Sequence, residues 1–320
     1  MPVNADKPHL WKQDIAQSVD FYNSWFMQFA PTAYRDTRIA TTAQVESALA
    51  WTANLTNITP TVLRQYPSVL PILRMATAPP IARDRLIGLA GVPSNLVKNM
   101  EEKGRIPPRM DTVLVDAELI KIGQIITRLA DKDIFPWLEN PGDPTDTQIH
   151  RAATIVADRF CGALADPIIR NAQEQRQLAL MRQWLEQCGY SYIRGGALVT
   201  FETIQPGTFS FRLNIPVSLQ SGSKQVNIPI DIVIMPLMAN PGDLPLLIEA
   251  KSAGDFTNPN KRRKEEAIKV AQLRNNYGND VRFVLFLCGY FDSGYLGYEA
   301  AEGIDWVWEH RIDDLALFGV

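Results

Sequence analysis

The sequence has few cysteines and histidines, and it has no long hydrophobic run. Its three cysteines are odd in number and far apart, a pattern that favours reduced, buried thiols in a cytoplasmic protein over a disulfide framework. No uncharged apolar stretch reaches the about 18 residues that a membrane span needs. The amino-terminal residues lack the basic segment and apolar core of a secretory signal. We therefore expect a cytoplasmic protein with no membrane attachment.

Two common kinds of site are also missing from the sequence. No Cys/His spacing indicates a zinc site, and no glycine-rich loop followed by Lys-Ser or Lys-Thr indicates nucleotide binding. The net charge is -3, which argues against a protein that coats nucleic acid along its length. A local nucleic-acid site stays open, because acidic metal ligands and basic phosphate contacts cancel in the sum.

The first part of the chain is predicted to be helical and the rest to be α/β. Apolar spacing predicts helices over 12–29, 41–56, 62–76, 117–131, 146–165, 168–188 and 260–276. Alternating or β-branched runs predict strands over 209–217, 226–235, 244–250 and 282–289. The first three strands can form a meander, and the fourth must cross over through a helix. With a proline-rich linker near 140–146, the chain divides into a helical region, 1–140, and an α/β domain, 146–320.

Three charged residues interrupt the predicted apolar strands. Asp231 lies on the second strand, and Glu249 and Lys251 lie on the third. Since strand side chains alternate between faces, Glu249 and Lys251 share a face that Asp231 can also reach if the strands are neighbours. Two carboxylates and a lysine suit a hard divalent cation such as Mg²⁺, with positions left for a phosphate and an attacking water. The alternative is a strand-end salt bridge that faces solvent.

This arrangement resembles the PD-(D/E)xK nucleases, and the longer run Glu-Ala-Lys-Ser-Ala-Gly-Asp-Phe from residue 249 resembles XamI-like type II restriction endonucleases. The resemblance covers residues 170–315. One departure is that Ile230 separates Pro229 from the aspartate. The resemblance implies a mixed central sheet flanked by helices, with Mg²⁺ held by Asp231, Glu249 and Ala250 and with Lys251 beside the scissile phosphate.

The same resemblance implies the substrate and the partners. It implies cleavage of double-stranded DNA at a short palindrome, a homodimeric enzyme, and a cognate DNA methyltransferase that acts on the same site without being a subunit. A repair or recombination nuclease with the same core and a non-catalytic DNA-binding protein are the alternatives.

Further residues are candidates for supporting roles. In this nuclease group a helix before the first strand often supplies another acidic residue, for which Glu174 is the candidate, although a solvated helix face explains it equally well. The basic run Lys261, Arg262, Arg263 and Lys264 is predicted to contact phosphates; the alternative is a solvated turn.

Residues 81–106 fit a helix-turn-helix, with a turn at Gly91 and a second helix capped by Ser94. That helix is expected to present Asn95, Lys98 and Asn99 on one side, where amides can read adenine edges and lysine can meet phosphates. An ordinary helical hairpin in the core is the alternative.

Overall fold

The computed structural model describes residues 2–140, 142–195, 200–218 and 225–320, with the side chain of Arg262 left out. These residues form two compact units. One contains Met1–Phe29 and Arg170–Val320, and the other contains Ala30–Ile169. The stretch 140–146, proposed as a linker, lies inside the second unit. The division into a recognition region and a nuclease domain stays a prediction.

Two long helices, α1 (Pro8–Trp51) and α7 (Asp146–Gln187), each belong partly to both units. Separate helices were predicted in each of these stretches, and that prediction is wrong. α1 contains Pro31 and α7 contains Pro167. A proline removes one backbone hydrogen bond and bends a helix, but the helix can continue beyond it. In the part of the chain that the structure describes, no helix is both long and apolar enough to cross a lipid bilayer.

The second unit is a helical assembly around an apolar core. Its shorter helices are α2 (Pro60–Gln65), α3 (Leu70–Met75), α4 (Arg83–Ala90), α5 (Ser94–Lys103) and α6 (Thr112–Leu129). Leu63, Leu70, Leu96 and Ile122 are fully buried in this core. Burial of each such side chain is worth about 1.5–3 kcal/mol, so packing between helices stabilises segments that are too short to be stable alone.

The first unit contains a sheet of six strands in the order β1-β2-β3-β4-β5-β6. The strands are β1 (Ser191–Tyr192), β2 (Thr208–Ser218), β3 (Gln225–Met235), β4 (Leu246–Ala253), β5 (Arg282–Gly289) and β6 (Asp305–Trp308). β2, β3 and β4 are antiparallel neighbours, while β4, β5 and β6 run parallel. The predicted meander and the predicted crossover are therefore confirmed.

Helices cover both faces of the sheet. Between β4 and β5 lie α8 (Thr257–Arg262) and α9 (Lys264–Tyr277), and between β5 and β6 lies α10 (Ser293–Ala301). One face packs against Val270 of α9 and Leu296 of α10. The other face packs against Met181 and Leu185 of α7. A mixed sheet with helices on both faces agrees with the expected fold class at this level, and the finer PD-(D/E)xK assignment remains a proposal.

The amino-terminal segment is anchored to the end of the sheet. The backbone N–H groups of Asn4 and Ala5 donate to Asp305 Oδ1 over 3.1 and 3.0 Å. Arg311 donates to Asp14 Oδ1 over 2.9 Å. These bonds explain why the first residues belong to the same unit as the carboxyl-terminal half of the chain.

Cysteines follow the prediction in part. All three are free, and Cys161 and Cys288 are buried. Cys188 is exposed, so the expectation of a buried thiol is wrong there, because Cys188 lies just beyond the last turn of α7.

Candidate active site

Asp231 and Glu249 lie where β3 and β4 separate. The ladder between these strands ends at Ile232 opposite Ile248, and the two acids are the next residue on each strand. Asp231 Oδ2 accepts a hydrogen bond of 3.0 Å from the backbone N–H of Ala250. The carboxylate thus supplies an acceptor for a strand N–H that lies beyond the end of the ladder. The structure therefore brings together the two acids that the alternation of strand side chains placed on one spot.

Burial shapes the charge state of both acids. Burial raises the pKa of Asp231 above its usual value, and the hydrogen bond from Ala250 opposes that rise. Burial also raises the pKa of Glu249, and the neighbouring charge of Asp231 raises it further. Two acids that disfavour each other's ionised form gain most from a cation placed between them.

α9 supplies a complementary partner to each charged residue of β4. Lys269 Nζ donates to Glu249 Oε1 over 2.8 Å, and the carboxylate of Glu266 pairs with Lys251 Nζ. Glu266 and Lys269 are three residues apart, which places them on one face of the helix. The acid–lysine pair of the helix therefore matches the lysine–acid pair of the strand, charge against charge.

The third acid, Glu174, lies on α7 near the same point. It forms an ion pair with Arg212, and its charge contributes to the raised pKa of Asp231. Arg212 lies beside Asp231 in the sheet, because the pairing of Phe211 with Ile232 continues in the same register on the other side of Arg212.

Arg212 has a φ of 52°, a left-handed conformation that costs a non-glycine residue about 1 kcal/mol or more. The buried side chains of β2 change from one face of the sheet to the other at this residue, since Phe209 and Leu213 belong to different core clusters. This change of face in β2 thus lies beside the point where β3 and β4 separate.

The residues at this point fit a divalent cation. Glu249 Oε2 is buried and has no hydrogen-bond partner among the described residues, so one carboxylate oxygen is available as a ligand. The described residues contain no group of three or more His, Cys, Asp or Glu side chains able to hold a metal. Mg²⁺ does not need three, because it keeps several waters and binds proteins through one or two carboxylates.

The predicted basic run spans the junction of two helices. α8 ends at Arg262 and α9 begins at Lys264, so the single helix predicted over 260–276 is wrong. Lys261 and Lys264 are exposed. The guanidinium of Arg263 lies over the Tyr298 ring, 5.1 Å from its centroid. The side chain of Arg262 lies outside the described residues.

The helix pair predicted near residues 81–106 is present as α4 and α5, joined through Gly91 with a φ of 61°. α5 begins at Ser94, and Pro93 is its N-cap residue without a side-chain cap, so the prediction of Ser94 as the cap is wrong. Ser94, Asn95 and Lys98 are exposed.

Asn99, the remaining residue predicted on the exposed side of α5, is buried instead. Its amide donates to the Asn95 carbonyl and side-chain oxygens over 2.8 Å. The expectation that Asn99 faces outward with Lys98 is therefore wrong, because the amide is used within its own helix.

Comparison with known proteins shows the family of the chain. The sequence matches the XamI restriction endonuclease family over residues 53–308. The chain belongs to the XamI restriction endonuclease family. It is 55% identical to the type II restriction enzyme SalI of Streptomyces albus G over 319 residues, which cover 99% of each chain. No solved structure matches it closely enough for a comparison of folds. The family resemblance and the type II restriction endonuclease class inferred from the motif are confirmed.

Two charged residues beside the candidate site of this XamI-family chain, Glu266 and Lys269, were missed from the sequence. Neither was singled out as a candidate site residue. A usable signal was present, because Glu266, Val270 and Leu273 follow helical spacing and all three are buried. An acid that continues an apolar stripe belongs to the side of the helix that packs on the sheet.

Proposed function

We propose that this XamI-family enzyme hydrolyses phosphodiester bonds in both strands of DNA at a short palindromic site, using Mg²⁺. The observation that carries the proposal is the pair of half-buried acids, Asp231 and Glu249, at the point where β3 and β4 separate. Lys251, on the same strand as Glu249, adds a positively charged ammonium group that can stabilise the negative charge of the phosphate during cleavage. The proposal includes a PD-(D/E)xK core and action in the cytoplasm.

Each residue has a distinct role in this proposal. Asp231, Glu249 and the main-chain carbonyl of Ala250 would hold the ion. When bound, such an ion lowers the pKa of a water and stabilises negative charge on the phosphate. Lys251 orients the attacking water and faces the phosphate. Glu174, held by Arg212, adds negative charge next to Asp231.

The direct experiment is digestion of one DNA of known sequence followed by sequencing of the ends. Discrete fragments with identical ends in both strands are expected with Mg²⁺, and EDTA should stop cleavage. Ca²⁺ should support binding without cleavage. A smear, nicking that depends on DNA structure, or binding with no metal-dependent cutting would contradict site-specific cleavage.

The basic run is proposed to contact phosphates through Lys261, Arg262, Arg263 and Lys264. We predict that the double variant Lys261→Gln and Lys264→Gln weakens binding to cognate and unrelated DNA alike. Each phosphate contact that is lost should reduce the slope of log K against log salt concentration by about one. Binding in Ca²⁺ as a function of salt measures this.

A matched control removes the same charge elsewhere. Lys121 and Lys132 are each paired with one acid and are about half exposed. The double variant Lys121→Gln and Lys132→Gln should leave the salt slope unchanged. Equal slopes for both double variants would contradict a phosphate contact at the basic run.

The remaining proposals concern recognition and assembly. Ser94, Asn95 and Lys98 of α5 are proposed to contact DNA, and Asn99 is not, because its amide is engaged internally. A homodimer is proposed because a two-fold site favours a two-fold enzyme, and light scattering of the purified protein tests it. A separate methyltransferase that modifies the same site is proposed to protect host DNA.

A further inference from the structure

Two acids beside the proposed active site pair with a lysine, and Glu266 is the less exposed of the two. Its side chain is 2% exposed, and its carboxylate pairs with Lys251, which is 23% exposed. An ionised carboxylate at this depth is strongly unfavourable unless a cation accompanies it. The position of Lys251 Nζ is thus tied to a residue that cannot turn toward water.

A second buried acid lies close enough to this pair to interact electrostatically with both of its members. Glu299 of α10 is fully buried, and neither carboxyl oxygen is in a hydrogen bond of good geometry within the described part of the chain. Burial and the neighbouring charge of Glu266 raise the pKa of Glu299 to about 8. The raised pKa favours the uncharged form of Glu299 at neutral pH, so Glu266 is the buried carboxylate that forms the ion pair with Lys251.

The helix gives the pair a fixed register. Glu266 lies in the first turn of α9, and Lys269, on the same helix face, holds Glu249 over 2.8 Å. Val270 and Leu273, which follow Lys269 in α9, are buried in the core. Because two contacts and the core packing fix the helix against β4, the carboxylate of Glu266 cannot drift along the strand.

We propose that Glu266 is a positioning residue that holds the ammonium group of Lys251 at the point where β3 and β4 separate. This rests on the proposed function, in which Lys251 acts beside the scissile phosphate. Glu266 itself touches neither DNA nor the ion. Its effect should therefore appear in the rate of cleavage and not in the affinity for DNA.

The test compares three variants by single-turnover cleavage with saturating enzyme in Mg²⁺. Lys251→Ala reports on the proposed function. Glu266→Gln keeps the size of the side chain and removes its charge, and Glu302→Gln, an exposed carboxylate at the end of α10, is the matched control. We expect Glu266→Gln to reduce the cleavage rate by about tenfold to a hundredfold. The dissociation constant for duplex DNA in Ca²⁺ should stay within about threefold, as is usual when only positioning is lost.

Rescue separates positioning from folding. Glu266→Asp keeps the charge but draws it back by one methylene, so its rate should lie between those of wild type and Glu266→Gln. If Glu266→Gln does not fold, Glu266→Asp carries the test alone, with a lowered rate at unchanged DNA affinity expected.

Three outcomes would contradict these proposals, and they can be told apart. Wild-type cleavage by the folded Glu266 variants together with an inactive Lys251→Ala variant would overturn the inference and leave the proposed function standing. Wild-type cleavage by Lys251→Ala would remove the proposed function itself. A loss of DNA affinity equal to the loss of rate in Glu266→Gln would also overturn the positioning role.

Discussion

Asp231→Asn should abolish DNA cleavage while leaving the protein folded and able to bind DNA. The amide keeps the shape of the carboxylate, and its oxygen can still accept the bond from the Ala250 N–H, now 3.0 Å long. It lacks the negative charge that a hard divalent cation requires of its ligands. We expect single-turnover cleavage in Mg²⁺ to fall by at least about a thousandfold.

The binding assay and a control complete this prediction. Affinity for duplex DNA in Ca²⁺ should remain measurable, because the proposed phosphate contacts lie on the basic run of residues 261–264. Asp280→Asn, in the exposed turn before β5, makes the same chemical change away from the site and should cleave like wild type. Residual cleavage by Asp231→Asn within tenfold of wild type would show that Asp231 does not hold the ion.

Glu299→Gln should stabilise the protein at alkaline pH and have little effect at acidic pH. The pKa of Glu299 rises from 4.5 to about 8 on folding. Between these values the folded chain holds a proton that the unfolded chain has lost, so stability falls as pH rises through that window and levels off above about pH 8. Glutamine does not titrate and escapes this loss.

The gain follows from the size of the shift, since each pKa unit corresponds to about 1.4 kcal/mol. A few kcal/mol at pH 8 should raise the melting temperature by several degrees. The groups that act on Glu299 are Glu266 from α9, Lys251 from β4, and Tyr295 and Glu302 from its own helix region. Thermal unfolding at pH 5 and pH 8 measures the difference.

Glu46, an exposed glutamate of α1, supplies the control for this measurement. Glu46→Gln should show the same melting temperature as wild type at both pH values. Equal melting temperatures of Glu299→Gln and wild type at pH 8 would mean that Glu299 ionises freely in the folded protein.

The sheet was predictable because strands carry their own signal. β3 and β5 are rich in β-branched and apolar residues, and their observed bounds, Gln225–Met235 and Arg282–Gly289, agree with the predicted ranges to within one residue. The two-residue strand β1 and the four-residue strand β6 are too short to show a period, and pairing with their neighbours creates them. Tertiary contacts therefore decide what local pattern leaves open.

The acids of the site were predictable for a related reason, while their surroundings were not. A charge that interrupts an apolar strand is visible in the sequence, as at Asp231 and Glu249. A charge on a helix is common on solvated faces, and although the helical spacing of Glu266 with Val270 and Leu273 indicates a buried face, it does not indicate that the partner of Glu266 is Lys251. That contact forms only because the helix packs on the sheet, which leaves the Glu266 side chain 2% exposed.

Asp231 has two roles, because its carboxylate carries a negative charge and also accepts a hydrogen bond from the main-chain N–H of Ala250. Truncating Asp231 to alanine would remove both the charge and the acceptor of the Ala250 N–H. That N–H would then favour a hydrogen bond between the two strands, which would narrow the gap between them. An engineer who wants a version of this enzyme that finds its target without cutting it should therefore choose the amide replacement over truncation. The architecture of the gap then survives the loss of catalysis.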